Sequence, residues 1–196
     1  MDLAGLYVEL SYVDAVGERQ RCPLVDCATA RFEDVGPVRP FRWSRGERHF
    51  SGWYWAATTG QHVGFESWLE RDRLLLMDFD PMVAGIASQP FWLHWHDGLR
   101  ERRHAPDYFV RRVDGSAVVI DVRADERIEP KDVEAFEATR VACTQAGWGT
   151  GGGVAGECPV AVALSAPAVP APHHCGPPAG DLRDTEAATA RGRRGG

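Results

Sequence analysis

The chain is 196 residues long and 44% hydrophobic with seven tryptophans, enough for one domain with a buried core plus a tail. Its formal charge of −6 argues against a generic basic nucleic-acid binder, although local arginine patches still allow a nuclease. No apolar run is long enough to cross a bilayer and no leader-like segment opens the chain, so a cytoplasmic protein without membrane attachment is expected, its five cysteines reduced rather than paired.

Residues 1–36 read as an N-terminal strand and linker region. The run from Leu6 to Val13 predicts an edge strand, followed by a turn at Val16-Gly17-Glu18-Arg19. Cys22 and Cys27 have the spacing of half a zinc site, but no second clear pair follows, so they read as incidental thiols. In residues 37–60 arginines alternate with aromatics, among them Arg42, Arg45, Phe50, Trp53 and Trp55. Two readings stand: Arg42 and Arg45 contact a DNA backbone while the rings stack on bases, or the segment is a hairpin turning at Arg45-Gly46 with Trp53 and Trp55 covering the core. From Gln61 to Met77, the spacing of Phe65, Trp68, Leu69, Leu75 and Leu76 predicts a helix, capped by Thr58-Thr59 and stopped by Asp80-Pro81. Glu66 and Glu70 then share a face, which is either solvated and paired with Arg73 or part of a site.

Strands follow at Val83 to Gln89 and Phe91 to Trp95, and a turn at Asp97-Gly98 leads into the strand carrying Asp107. His94, His96 and His104 are read as packed or surface residues outside any site. Arg102 and Arg103, in the run Arg100-Glu101-Arg102-Arg103, form either a phosphate patch or a solvated loop. Tyr108-Phe109-Val110 and Ala117 to Arg123 predict a hairpin turning at Asp114-Gly115, with Asp121 and Arg123 on one face. Pro130 near the first turn and Gly147 at the end bound a last helix, with Val133, Phe136, Val141 and Cys143 on its buried side. Residues 149–196, rich in Gly, Ala and Pro, have the composition of a tail that does not order itself.

Glu66, Asp107 and Asp121 are three carboxylates on neighbouring elements, with Arg123 beside them. Clustered carboxylates repel one another, and a divalent metal relieves the repulsion. The order E, then PD, then (D/E)-x-K, with arginine in the last place, resembles the PD-(D/E)xK nucleases. Through YWAATTG, FESWLERDRLLLMDFDP, SQPFWL, HAPDYFV, VVIDVR and FEATRVACTQAGW, residues 38–148 are similar to the nuclease domain of TnsA-like heteromeric transposase endonuclease subunits.

That resemblance implies an α/β, restriction-endonuclease-like core: a mixed β-sheet flanked by helices, in a nuclease-like domain over 37–148. It implies Mg²⁺, with Mn²⁺ as a substitute, held by Glu66, Asp107, Asp121 and the backbone carbonyl of Val122. It also implies cleavage of DNA at transposon ends beside an integrase-fold transposase subunit and an ATPase regulator. Two departures stand out. Arg123 falls where the family places lysine, and with a pKa above about 12 it cannot act as a base. After the last helix, the family's next core strand, beginning near Trp148, gives way to the Gly/Ala/Pro tail. Both departures support a second expectation, a catalytically impaired nuclease-fold module that binds DNA or a transposase partner without cutting. A third is a restriction or repair nuclease acting alone.

Overall fold

Strict alternation along residues 108–120 divides the interior into two cores. β8 (Tyr108–Arg112) and β9 (Ala117–Ile120) form an antiparallel hairpin whose turn contains Gly115 at φ +84°. β5 (Val83–Ser88) pairs with the other edge of β8, giving a three-stranded sheet in the order β5-β8-β9. Side chains in a strand alternate between faces. Phe109, Ala117 and Val119 therefore enter one core, and Tyr108, Val110 and Ile120 the other.

The computed structural model describes residues 6–41, 50–123 and 128–148, all within one compact unit. The first core is closed by a second sheet, built from β1 (Glu9–Val13), β2 (Arg19–Pro23), β6 (Trp92–His96) and β7 (Glu101–His104) in the order β2-β1-β6-β7. The strand expected at an edge is thus interior. Leu10 faces the core, and β2 and β6 occupy the two sides of β1. Residues 9–34 share this sheet and core with the rest, so the packing has no boundary at residue 36. Phe32, from a single 3-10 turn at Phe32–Asp34, meets Tyr12, Phe91, Phe109 and Trp148 edge-on. Fully burying such a side chain contributes roughly 1.5–3 kcal/mol.

The second core lies under the hairpin of β3 (Gly52–Ala56) and β4 (Gln61–Phe65) and under α2 (Trp68–Asp78). Here the expected helix from Gln61 is corrected: residues 61–65 are strand, paired one for one with β3. The helix starts after Ser67, whose Oγ accepts the Glu70 N–H at 3.2 Å. Thr58 instead fastens the hairpin turn to the end of α2, its N–H donating to Asp78 Oδ1 at 2.8 Å. The buried face of α2 is Glu70, Leu74 and Met77, while Trp68 and Leu76 are exposed. Because Tyr54 packs toward the second core and Ala56 is buried in it, Trp53 and Trp55 are about half exposed and do not cover the core.

α1 (Leu24–Cys27) and α3 (Pro130–Ala146) cover the first core. α3 has Pro130 in its first turn, a cap in which Asp132 Oδ2 accepts the Glu129 N–H at 3.0 Å, and a left-handed Gly147 at its end, the conformation glycine adopts most cheaply. Its buried side is Ala135, Ala138, Thr139, Ala142 and Cys143; Val133, expected there, is exposed. Trp148 then closes the first core, stacking on Phe91 and donating from Nε1 to the Ala28 carbonyl at 3.0 Å.

The fold is mixed α/β with helices flanking antiparallel sheets. Among the described residues every strand pairing is antiparallel, so the mixed sheet expected from the resemblance is not found there. No described helix is long and apolar enough to cross a membrane. The tail at 149–196 and the arginines Arg42 and Arg45 lie outside the described residues.

Candidate active site

The site is built at the open end of the central hairpin. β7 ends at His104, and Ala105-Pro106 breaks the strand, since proline offers no N–H to a ladder. The chain then crosses to the central sheet, so Asp107 does not belong to the strand that follows the Asp97-Gly98 turn. It sits immediately before β8, and its carbonyl accepts the Gln89 N–H at 2.9 Å. Tyr108 pairs with Ile120, which places Asp107 and Asp121 at the next facing rung. Both are buried, at 4% and 1% exposure.

β9 stops at Ile120, so Asp121 and Arg123 do not share a strand face as expected. The chain folds back instead. The Val122 N–H donates to Asp107 Oδ2 at 2.7 Å, and Arg123 Nη1 lies 3.7 Å from that same oxygen. Arg123 also donates to the Val122 carbonyl at 3.1 Å, the group expected to face a metal.

The glutamates exchange places relative to expectation. Glu66 precedes the helix rather than riding on it, and both its oxygens accept from Arg39, at 2.8 and 2.7 Å. Glu70, in the first turn of α2, is only 6% exposed. Its carboxylate accepts the Glu66 N–H at 2.8 Å and the Ser67 hydroxyl at 2.9 Å. The structure also brings Glu70 into the electrostatic neighbourhood of Asp107. The signal was present in the sequence: Ser67-x-x-Glu70 is a capping-box pattern that sets the helix start and turns Glu70 inward.

Burial, and then the charges of Glu70 and Asp121, push the Asp107 carboxyl up to about 8, against the opposing pull of Arg123 and the Val122 N–H. Burial likewise raises Glu70, despite the hydrogen bonds from Glu66 and Ser67. Tyr108, whose hydroxyl donates to the Gly64 carbonyl at 3.3 Å, is driven far above the usual phenol value by burial beside Glu70 and Asp107. At Arg123 burial favours loss of the proton, but Asp107 and Asp121 outweigh it and hold the guanidinium charged. At His104 burial also opposes the charge, yet Asp121, by charge and hydrogen bond, raises the imidazole above its ordinary value.

Asp107 and Asp121 thus lie beside one guanidinium and one imidazole, with Glu70 near enough to act on Asp107 by charge. Their donors are all oxygen, the set that suits Mg²⁺. Among the described residues, no three His, Cys, Asp or Glu side chains stand gathered as a ready-made metal cage. What fits a cation is the pair Asp107 and Asp121: Asp121 Oδ2 is buried with no hydrogen-bond partner among the described residues. Each Glu70 oxygen keeps lone-pair capacity beyond the bond it accepts.

Of the arginines expected to contact DNA, the two that are described, Arg102 and Arg103, are separated. Period two turns Arg102 and Arg103 to opposite faces of β7. Arg102 donates to Asp97 at 2.6 Å and lies 3.5 Å from Glu134, while Arg103 lies over the Trp92 ring on the other face. No protein-family model, curated protein or solved structure matches the chain.

Proposed function

We propose that the protein is an Mg²⁺-dependent DNA endonuclease, acting as the DNA-cutting subunit of a heteromeric transposase on a restriction-endonuclease-like core. The observation that supports the hydrolytic part is the buried pair Asp107 and Asp121 on facing rungs with Glu70 in their electrostatic neighbourhood, Asp107 being held near 8 by burial first and then by these acids. The transposase setting, with an integrase-fold partner and an ATPase regulator, rests on the sequence resemblance alone.

Asp107, Asp121 and Glu70 would hold the ion, with Mn²⁺ as a substitute. When bound, the metal supplies an activated water and neutralises charge developing on the phosphate. Arg123 donates hydrogen bonds to a phosphate oxygen and keeps its proton throughout. The Val122 N–H fixes the orientation of Asp107. Arg39 and Glu66, clamped in a bidentate pair, hold the junction between β4 and α2 from which Glu70 projects. The test is to incubate supercoiled DNA with the protein and Mg²⁺ or Mn²⁺, with and without the transposase partner. Nicking that vanishes in Asp107→Ala supports the proposal; nicking that survives this change counts against it.

The second reading, a module that binds DNA or its partner without cutting, is favoured by one specific contact. The Arg123 guanidinium reaches the Val122 carbonyl and Asp107, so it acts as an internal counter-ion where the metal would sit. Arg123→Lys separates the readings. Cleavage that appears only in this variant favours the impaired module, and cleavage by the unaltered protein removes it.

A further inference from the structure

We propose that His104 is a positioning residue of the acid cluster: it holds Asp121 by Oδ1, so that Oδ2 is the oxygen presented to a divalent cation. This inference rests on reading the cluster as a metal site.

His104 is the last residue of β7 and Asp121 the first after β9, so the bond between them ties the two sheets at the site. Nε2 lies 2.7 Å from Asp121 Oδ1, the length of a charge-assisted hydrogen bond. The role calls for the ring to donate from Nε2 and Oδ1 to accept. Period two along β7 explains how the ring arrives there. Glu101 and Arg103 turn outward, while Arg102 and His104 turn toward α3. Phe136 of α3 stands edge-on to the imidazole at 6.4 Å, and the His104 side chain is 15% exposed, so the ring is held in place.

The two oxygens of Asp121 are treated unequally. Oδ1 has a short, strong bond, whereas Oδ2 is buried with no partner among the described residues. A buried acceptor left unsatisfied is costly, and a bound cation would relieve it. An outer-shell donor to a ligating carboxylate orients it and is typically worth about 10- to 100-fold in metal affinity. His94 provides a contrast within the same sheet: its ring is held by Ser11 Oγ at 2.8 Å, with Glu101 3.2 Å away, on the outer face.

The test is Mn²⁺ binding to the metal-free full chain, followed by calorimetry or by loss of the free-ion paramagnetic signal. Unaltered protein, His104→Phe, His104→Gln and His94→Gln are compared. The inference expects His104→Phe to bind about 10- to 100-fold more weakly. His104→Gln, which keeps a donor at the reach of Nε2, stays within about threefold of the unaltered protein, and His94→Gln is unchanged. A purely structural role would lower the melting temperature in His104→Phe and leave the dissociation constant alone, and that outcome overturns the inference while sparing the metal reading. No Mn²⁺ binding by the unaltered protein overturns both. Should His104→Phe fail to fold, nitrogen-15 spectra of the unaltered protein decide the point. A His104 ring protonated at Nε2 and shifted by Mg²⁺ supports the role, and a ring indifferent to Mg²⁺ refutes it.

Discussion

Asp107→Asn exposes the electrostatics of the site without removing its geometry. The amide oxygen still accepts the Val122 N–H now bonded to Oδ2. In the unaltered, metal-free protein the carboxyl moves from an ordinary 3.8 to about 8 on folding, through burial and then Glu70 and Asp121. A raised carboxyl favours the fold below about pH 4, and that contribution is lost as the pH climbs toward 8, because the unfolded chain releases the proton first. At ~1.4 kcal/mol per unit the interval caps the loss at about 6 kcal/mol. Since Asp107 titrates together with its acidic neighbours, roughly 3 kcal/mol is the size to look for. Chemical denaturation in chelator should show the asparagine variant ahead by only about 1 kcal/mol at pH 5 and by about 3 kcal/mol near pH 9. A gap of about 3 kcal/mol is roughly 10 °C in melting temperature for a domain of this size. Adding Mg²⁺ near pH 8 should stabilise the unaltered protein and leave the variant unmoved. A gap that does not change between pH 5 and pH 9 would refute the reasoning.

Three further substitutions discriminate within the site and the core. Glu70→Gln should weaken Mn²⁺ binding and nicking by about 100-fold. Glu66→Gln, which weakens the clamp with Arg39, should cost about 1 kcal/mol of stability and retain both activities, read by the same nicking and melting assays. Trp148→Ala removes a ring packed on Phe32, Phe91 and Phe109 and the hydrogen bond to Ala28, and should destabilise by about 3–5 kcal/mol in a urea titration.

Local chemistry made the central hairpin and the last helix legible. The Asp114-Gly115 turn sets the register of β8 and β9, and that register places Asp107 opposite Asp121 at the open end. Pro130 and Gly147 bound α3 by the same kind of short-range rule. Non-local pairing was not legible. Leu6 to Val13 reads the same at an edge or in the middle of a sheet, and only the pairing with β6 decides it. A histidine in a strand is equally silent until the face is known, which is why His104 passed as ordinary packing. A helix running from Gln61 gives Glu66 and Glu70 one face, and only the resemblance and the downstream carboxylates single out Glu66. Once Ser67 starts the helix, Glu70 falls inward with Leu74 and Met77, and Glu66 is left at the junction for Arg39.

The most direct test of the acid cluster as a metal site is anomalous diffraction from crystals soaked in Mn²⁺. A peak about 2.1 Å from Asp121 Oδ2 and from the Asp107 carboxylate, with Glu70 turned toward it, is the result expected. Density only elsewhere on the molecule, with the Arg123 guanidinium still lodged between Asp107 and the Val122 carbonyl, would contradict it.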